Sequence, residues 1–381
     1  MKIRDIRLLP LRGETPDGGW DDKFSDLENN LHTLVEVITD EGVTGVGSVF
    51  TSERLIRGAI DVMRPFLIGA SALDPAVTTE TCHQQTFWQG RGGAITHAIS
   101  GIDIALWDIL GKVTGQPVSR LLGGRYREKI KPYGSLLMDE PDILRASLED
   151  GLNRGFRAFK IGWGPFGRRD RKTDEAIVKA ARETVGSEVE LMVDAGGSDA
   201  FWPHGYKWGL QTARMLSDYE IAWFEEPLRP DNLEGYVKLT ENAPVPISGC
   251  EVFTRRHSFI EWIERRAVDY IQPDVTKVGG ISEEFRIAQY ADDHSIRFVP
   301  HGWNTAVGLA ADLQLVAAVP CARWVEYITP APYIEDLLAV PIHPDEDGLI
   351  PIPDAPGLGL EWNPDGIARF TGGMKLTPSS I

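Results

Sequence analysis

Apolar and polar positions alternate in two runs near the start of the chain, "KIRDIRLLPL" and "HTLVEVITDEGVTGVGSVF". The second breaks at Asp40 to Gly42 and reads as a hairpin. Between them the Gly- and Asp-rich stretch "RGETPDGGWDDKFSDLENN" runs for 19 residues, longer than most connections in a compact domain, and is expected to be a binding lid with Trp20 at its middle. The period then lengthens from two to 3.6. In "AITHAISGIDIALWDILGKVTG", Ile95, Ile99, Ile102, Leu106, Ile109 and Val113 recur at steps of 4, 3, 4, 3 and 4, which puts one apolar stripe on one helix face for core packing.

From about Lys129 short apolar runs alternate with amphipathic stretches. The runs "IKPYGSLL", "AFKIGW", "ELMVDAG", "IAWFEEP", "PISGCE", "YIQPDV", "RFVPHG" and "RWVEY" read as eight strands, separated by helical segments such as "DEAIVKAARETVG" and "ISEEFRIAQYADDH". Eight strands with crossovers of this length predict a right-handed (β/α)₈ barrel. The helix after the eighth strand is weak. The Pro- and Gly-rich tail after Pro341, including "PIPDAPGLGLEWNPDG", is expected to leave the barrel and cover the N-terminal domain.

In such a barrel the C-terminal strand ends converge on one mouth, so the polar residue closing each strand is the candidate chemistry. Strands two to eight offer Lys160, Asp194, Glu225, Glu251, Asp274, His301 and Glu326, spaced by 34, 31, 26, 23, 27 and 25 residues. Asp194, Glu225 and Glu251 would end three adjacent strands and repel one another unless their pKa values rise or a cation sits between them. A hard divalent cation resolves the crowding, and Mg²⁺ takes oxygen ligands while keeping positions open for water or substrate. Glu226 should point the other way from Glu225 and serve a supporting role. Lys160 flanks the trio on one side. On the other, Asp274 can set the tautomer and basicity of His301, so proton transfer is available on two faces of a bound ligand.

Charge narrows the partners. With 39 basic and 56 acidic residues the net charge is −17, which attracts neither nucleic acid nor an anionic membrane. An anionic small molecule therefore needs locally placed cations, which a bound metal can provide. Cys82, Cys250 and Cys321 lie far apart and form no CxxC pair, and no uncharged apolar run reaches the roughly 18 residues of a membrane span, so a cytoplasmic protein with free thiols is expected.

The motifs "GIDIALWDILGKVTGQPVSRLLGG", the Lys160 strand, "MVDAG", "WFEEP", "GCE", "QPDVTKVGG" and "PHGW" occur in an order that resembles the enolase superfamily, and the Asp274 and His301 pair resembles its mandelate racemase subgroup. The resemblance spans nearly the whole chain. It implies an α+β capping domain on an α/β modified TIM barrel, (β/α)₇β. The division expected is a capping domain with its lid loop over residues 1–125, a catalytic barrel over 126–345, and a C-terminal segment over 346–381 packing back on the cap. It also implies a homo-oligomer. Carried over by position, Asp194, Glu225 and Glu251 match Mg²⁺ ligands, Lys160 the lysine base, Asp274 with His301 the second acid/base, and Glu326 a carboxylic acid that hydrogen-bonds a substrate carboxylate.

Two positions depart from the common pattern. Ala158 stands where the family often has a second lysine, and Gly196 where it often has asparagine. The first removes one means of lowering the Lys160 pKa. Trp163 is a candidate for closing the site near the metal, and Trp20, Asp21, Asp22, Lys23, Thr51 and Ser52 are candidates for substrate contact.

Abstraction of a proton α to a carboxylate gives an enediolate, which Mg²⁺ stabilises as a Lewis acid. Loss of a β-hydroxyl then gives a 2-keto acid, and return of the proton from the other face gives racemisation or epimerisation. The expected activity is dehydration of an acid sugar, an aldonate or aldarate, with racemisation or epimerisation of a 2-hydroxy acid as the alternative. A metal-dependent hydrolase is disfavoured because strand one ends in "GSLL" without an HxH pair. A barrel that binds acids without turning them over is the non-enzymatic alternative.

Overall fold

The computed structural model describes residues 1–12, 31–199 and 201–381. The expected lid with Trp20, Asp21, Asp22 and Lys23 lies outside the described residues. An antiparallel sheet opens the chain, with β1 (Ile3–Pro10), β2 (His32–Thr39) and β3 (Thr44–Phe50) in that order. The hairpin closes where expected. Thr39 N donates to Val43 O at 3.0 Å, and Gly42 takes a φ of 84°, which costs glycine nothing because it has no Cβ.

Three helices follow, of which α1 (Glu53–Leu67) and α3 (Ala94–Thr114) pack on this sheet while α2 (Pro75–Gln85) packs against those two helices. On α3 the predicted stripe is buried from Ile99 through Ile109, but Val113, in the last turn before the left-handed Gly115 cap, is 38% exposed. The helix lies unusually close to β3. A Cβ on Gly47 would sit 1.8 Å from the Gly101 carbonyl oxygen, and one on Gly45 2.1 Å from that of Ala105. Alternation puts both glycines on one strand face, where they form a groove for the helix backbone. Among the described residues α3 alone has membrane-spanning length and composition, and 72% of its apolar window is buried inside the protein.

After the short α4 (Val118–Leu121), all eight predicted runs form strands: β4 (Lys129–Leu137), β5 (Ala158–Gly162), β6 (Glu190–Asp194), β7 (Phe224–Glu225), β8 (Ile247–Gly249), β9 (Tyr270–Ile271), β10 (Arg297–Phe298) and β11 (Trp324–Ile328). They are parallel, in the order β10-β9-β8-β7-β6-β5-β4-β11. Seven crossover helices join them: α5 (Pro141–Asn153), α6 (Arg171–Val185), α7 (Tyr206–Ser217), α8 (Leu233–Asn242), α9 (His257–Glu264), α10 (Ile281–Asp293) and α11 (Ala306–Ala318). β11 is followed only by the four-residue α12 (Pro332–Glu335). The plain eight-unit expectation is thereby corrected to (β/α)₇β. Pro332 opens this single turn, which ends at Glu335, and Tyr333 and Leu337 beside it join a core shared with Ile367 and Phe370 of the terminal α13 (Pro364–Thr371).

The tail runs back along the molecule. β12 (Ile350–Pro351) pairs antiparallel with the start of β4. Further on, Thr377 N donates to Glu36 on β2, and Ser380 N donates to Gly42 O at 3.0 Å. Helix α11 is buried on every side because the barrel and the cap both pack on it, with Thr305 Oγ1 3.0 Å from Ser48 Oγ of β3.

Inside the barrel, Tyr133, Ala158, Met192, Trp223, Val299 and Trp324 form a plug below the mouth. The Trp223 ring lies 5.3 Å from both Tyr133 and Trp324, edge to face. Behind the barrel wall, Glu284 of α10 and Asp312 of α11 are wholly buried, and none of their four carboxylate oxygens has a hydrogen-bond partner among the described residues. Burial first, and then nearby carboxylates, raise both pKa values well above the ordinary range.

Two predictions follow from this packing. Gly47→Ala should destabilise the protein by about 3 kcal/mol in denaturant unfolding, because backbone rather than a flexible side chain blocks the new methyl. A pKa raised by folding contributes stability below the unfolded carboxyl pKa and loses it as pH rises. Glu284→Gln should therefore gain denaturation midpoint over wild type progressively from about pH 5 to pH 9, and a pH-independent difference would show that ionisation plays no part.

Candidate active site

The strand ends deliver the seven expected polar groups to one place, all with residue exposures of 7% or less. Strand pairing sets Asp194 beside Glu225, with Glu225 beside Ser248 on β8, so the three carboxylates come from neighbouring strands. One oxygen from each of Asp194, Glu225 and Glu251 lies within 4.8 Å of the others. The chain bends sharply at these ends. Trp163, Glu226 and Cys250 have φ values of 61°, 41° and 90°, left-handed conformations that non-glycine residues adopt at a cost and that cluster at functional sites.

Glu226 takes the supporting place expected of it. It belongs neither to the carboxylate trio nor to the cavity lining; its Cγ lies on the side where Gly249 and Tyr236 pack, and its carboxylate accepts from Ser198 N at 3.1 Å. Burial, then Glu251 and Asp194, push the Glu226 pKa well above normal.

Lys160 is the cation that the fold supplies. Its Nζ lies 2.5 Å from Glu225 Oε1, 2.9 Å from Glu326 Oε1 and 3.7 Å from Asp194 Oδ2. Burial opposes its charge, but these carboxylates outweigh burial and hold its pKa well above the usual lysine value. Ala158, at the position of the absent lysine, faces the aromatic plug rather than the mouth. One lysine does not satisfy the cluster. Burial, followed by repulsion from Glu225, still raises Asp194 well above a normal carboxyl, and Glu225 is also raised, first by burial. Wholly oxygen donors, dense negative charge and partial neutralisation fit a hard divalent cation.

Two inward residues missed in the sequence orient Glu225. Trp223 Nε1 donates to its Oε2 at 2.9 Å, and Gln272 Nε2 donates to the same atom at 2.7 Å. Both lie two residues before a site carboxylate, so strand alternation was the signal that could have found them.

Asp274 organises the other side. Its Oδ2 lies 2.8 Å from His301 Nδ1, and its Oδ1 accepts from Thr276 N at 2.8 Å and Thr276 Oγ1 at 2.6 Å. Burial would raise the Asp274 pKa, but Lys277 and His301 hold it well below normal. With Nδ1 turned to Asp274, His301 Nε2 faces the cavity and Glu251 Oε2 at 3.2 Å. Burial opposes the imidazolium, and Glu251 leads the groups that raise its pKa above the ordinary histidine value.

Glu326 differs from its expected form. Burial acts to raise its pKa, yet Lys160 and His301 hold it at about 2, and Gly302 N donates to its Oε2 at 2.7 Å. These neighbours favour the carboxylate form of Glu326 over the carboxylic acid that the resemblance implies.

A cavity of about 170 Å³ opens over these groups, lined among others by Phe50, Lys160, Trp163, Lys277, His301 and Trp303. Trp163 stands where expected. A Cβ on Gly196 would lie 2.7 Å from its indole, so glycine in place of asparagine makes room for this ring. From the cap, Phe50 lines the cavity, whereas Thr51 contacts His97 and Ser52 occupies the N-cap of α1. Lys277 and Trp303 are further wall residues that strand-end reasoning missed, because both sit in turns beyond the strands.

The chain matches the family "Mandelate racemase / muconate lactonizing enzyme, N-terminal domain" over residues 24–123 and the family "Enolase C-terminal domain-like" over residues 144–366. It is 35% identical over 390 residues to D-galactarolactone cycloisomerase of Agrobacterium fabrum, covering 97% of this chain and 99% of that protein. It is 30% identical over 395 residues to D-xylonate dehydratase of Haloferax volcanii, covering 96% and 93%. A racemase from Streptomyces coelicolor A3(2), solved with bound magnesium, superposes with a TM-score of 0.84 at 26% identity, covering 97% of this chain and 99% of that one. Matched in both its cap and its barrel, the chain belongs to the mandelate racemase and muconate lactonizing subgroup of the enolase superfamily.

Proposed function

We propose that this enzyme is a Mg²⁺-dependent dehydratase of an acid sugar, converting an aldonate or aldarate to a 2-keto-3-deoxy acid. The observation that carries this reading is the placement of Lys160 on β5 to one side of the three-carboxylate cluster and of His301, beyond β10, to the other, with Asp274 holding His301 toward the cavity. The kinship to a sugar-acid dehydratase supports it.

Asp194, Glu225 and Glu251 would hold the cation, which when bound supplies Lewis-acid stabilisation to the charge that builds on the substrate carboxylate. The chain's own groups move the protons. Lys160 stands on one side; once a cation takes over the compensation of Asp194 and Glu225, the ammonium would lose the pairing that keeps it charged, and the neutral amine can take the α-proton and hold it beside Glu326. His301, as imidazolium stabilised by Asp274, gives a proton to the departing β-hydroxyl. The Cα–H bond breaks, Cα=Cβ forms, the Cβ–O bond breaks and water leaves; the resulting enol tautomerises to the keto acid. The wall residues Trp163 and Trp303 limit water around the reacting carbons.

A second reading uses the same groups. If the leaving oxygen is part of a lactone ring, elimination opens the ring without releasing water and the reaction is an isomerisation; the relative named as a cycloisomerase favours including it. Return of the proton from the opposite face would instead give a racemase or epimerase.

His301→Asn should lower kcat for keto-acid formation by about 10² to 10⁴, measured by NMR in D₂O over a panel of acid sugars. α-Deuterium uptake without water loss in wild type would move the assignment to racemase or epimerase. Metal binding has its own readout. At 100 times its dissociation constant Mg²⁺ should stabilise wild type by about 2.7 kcal/mol, and should not stabilise Asp194→Asn. Because folding raises the Asp194 and Glu225 pKa values, the metal-free protein loses stability with rising pH, while the cation must displace the retained protons. The Mg²⁺-induced thermal shift should therefore grow from about pH 5 to pH 8.

A further inference from the structure

Lys277 lines the cavity but has no place in the proton transfers. It lies in the turn after β9, where Lys277 N and Val278 N both donate to the Asp274 carbonyl oxygen at 2.9 and 2.8 Å. The residue is only 7% exposed, so a charged group has been taken almost wholly out of water. Its surroundings compensate that charge incompletely. Nζ sits 4.5 Å from the Phe50 ring centroid and 3.4 Å from Asp274 Oδ2. The latter is longer than the roughly 2.7–2.9 Å of a charge-assisted hydrogen bond, and Asp274 Oδ2 is already engaged by His301 at 2.8 Å.

An ammonium has three donors, and among the described residues Lys277 Nζ makes no hydrogen bond at all. The other lysine of the cavity differs, being held by Glu225 and Glu326 at 2.5 and 2.9 Å. The two lysines are also separated in strand order, Lys160 on β5 and Lys277 after β9, with the three carboxylates' strands between them. A substrate whose reacting carboxylate lies at the carboxylate cluster and whose chain passes His301 would present its far end to Lys277. In a partly desolvated cavity an anionic oxygen gains more from this ammonium than a neutral hydroxyl does.

We propose that Lys277 binds the second carboxylate of a dicarboxylic acid sugar, so that the site selects an aldarate over the aldonate of the same configuration. The proposal rests on the acid-sugar reading and narrows it.

The test compares matched pairs, galactarate with galactonate and glucarate with gluconate, on Mg²⁺-loaded wild type, Lys277→Gln and Lys277→Arg. Wild type should favour the turned-over aldarate by at least ~10-fold in kcat/KM, and Lys277→Gln should cut that ratio by about 10- to 100-fold, chiefly through KM, the worth of one charge-assisted contact. Lys277→Arg should restore part of the preference. Equal losses on both members of a pair, led by kcat, would show that Lys277 only positions Asp274 and would overturn the proposal, as would a wild type that prefers aldonates.

Calorimetric binding of the same acids separates this proposal from the reaction it rests on. If no acid is turned over, the dehydratase reading fails, yet tighter aldarate binding that is lost in Lys277→Gln would still support the Lys277 assignment. Equal binding of both classes, or binding of neither, would overturn it.

Discussion

Everything at the barrel mouth answers to one electrostatic constraint: three carboxylates held out of water with oxygens within 4.8 Å of one another. Alone, such a cluster would take up protons or spread apart. The fold prevents spreading by anchoring each acid at the end of a different paired strand and by tying Glu225 through Trp223 and Gln272. Lys160 compensates Asp194 and Glu225 in part, and His301 stands 3.2 Å from Glu251, yet the Asp194 and Glu225 pKa values stay raised. The same carboxylates favour the charged form of Lys160, and Lys160 in turn lowers the Asp194 pKa against burial.

Asp274 plays the corresponding part on the other flank. One carboxylate orients His301, accepts twice from Thr276 and stands near Lys277. These contacts keep it ionised despite full burial, and an ionised Asp274 in turn supports the imidazolium of His301. Glu284 and Asp312 have no such donors among the described residues, and their pKa values move in the opposite direction. Burial is common to all three acids; hydrogen bonds and adjacent cations decide which of them stays charged.

The cap is part of the site. β3 carries Gly45 and Gly47 against the backbone of α3, and the strand ends in Phe50, which stands over Lys277 at the cavity wall. Helix α11, buried between the two layers, fixes the cap against the barrel. The position of Phe50 over the cavity therefore depends on a close helix–sheet contact at residues remote from the reaction in sequence.

Local pattern alone determined much of this protein. Period-two and period-3.6 spacing located the hairpin, the eight parallel strands and their helices, and the regular recurrence of one polar group per strand end identified Lys160, Asp194, Glu225, Glu251, Asp274, His301 and Glu326 as a single set. That works because barrel geometry forces strand ends to converge whatever the loops contain. Turns break the inference. Lys277 reaches the cavity from a turn after Asp274, and Phe50 enters from the cap. The lowered pKa of Glu326 and the raised pKa of Asp194 were likewise not readable from residue type. They depend on distances to Lys160, Glu225 and Glu251 and on exclusion of water, and only the tertiary structure sets those.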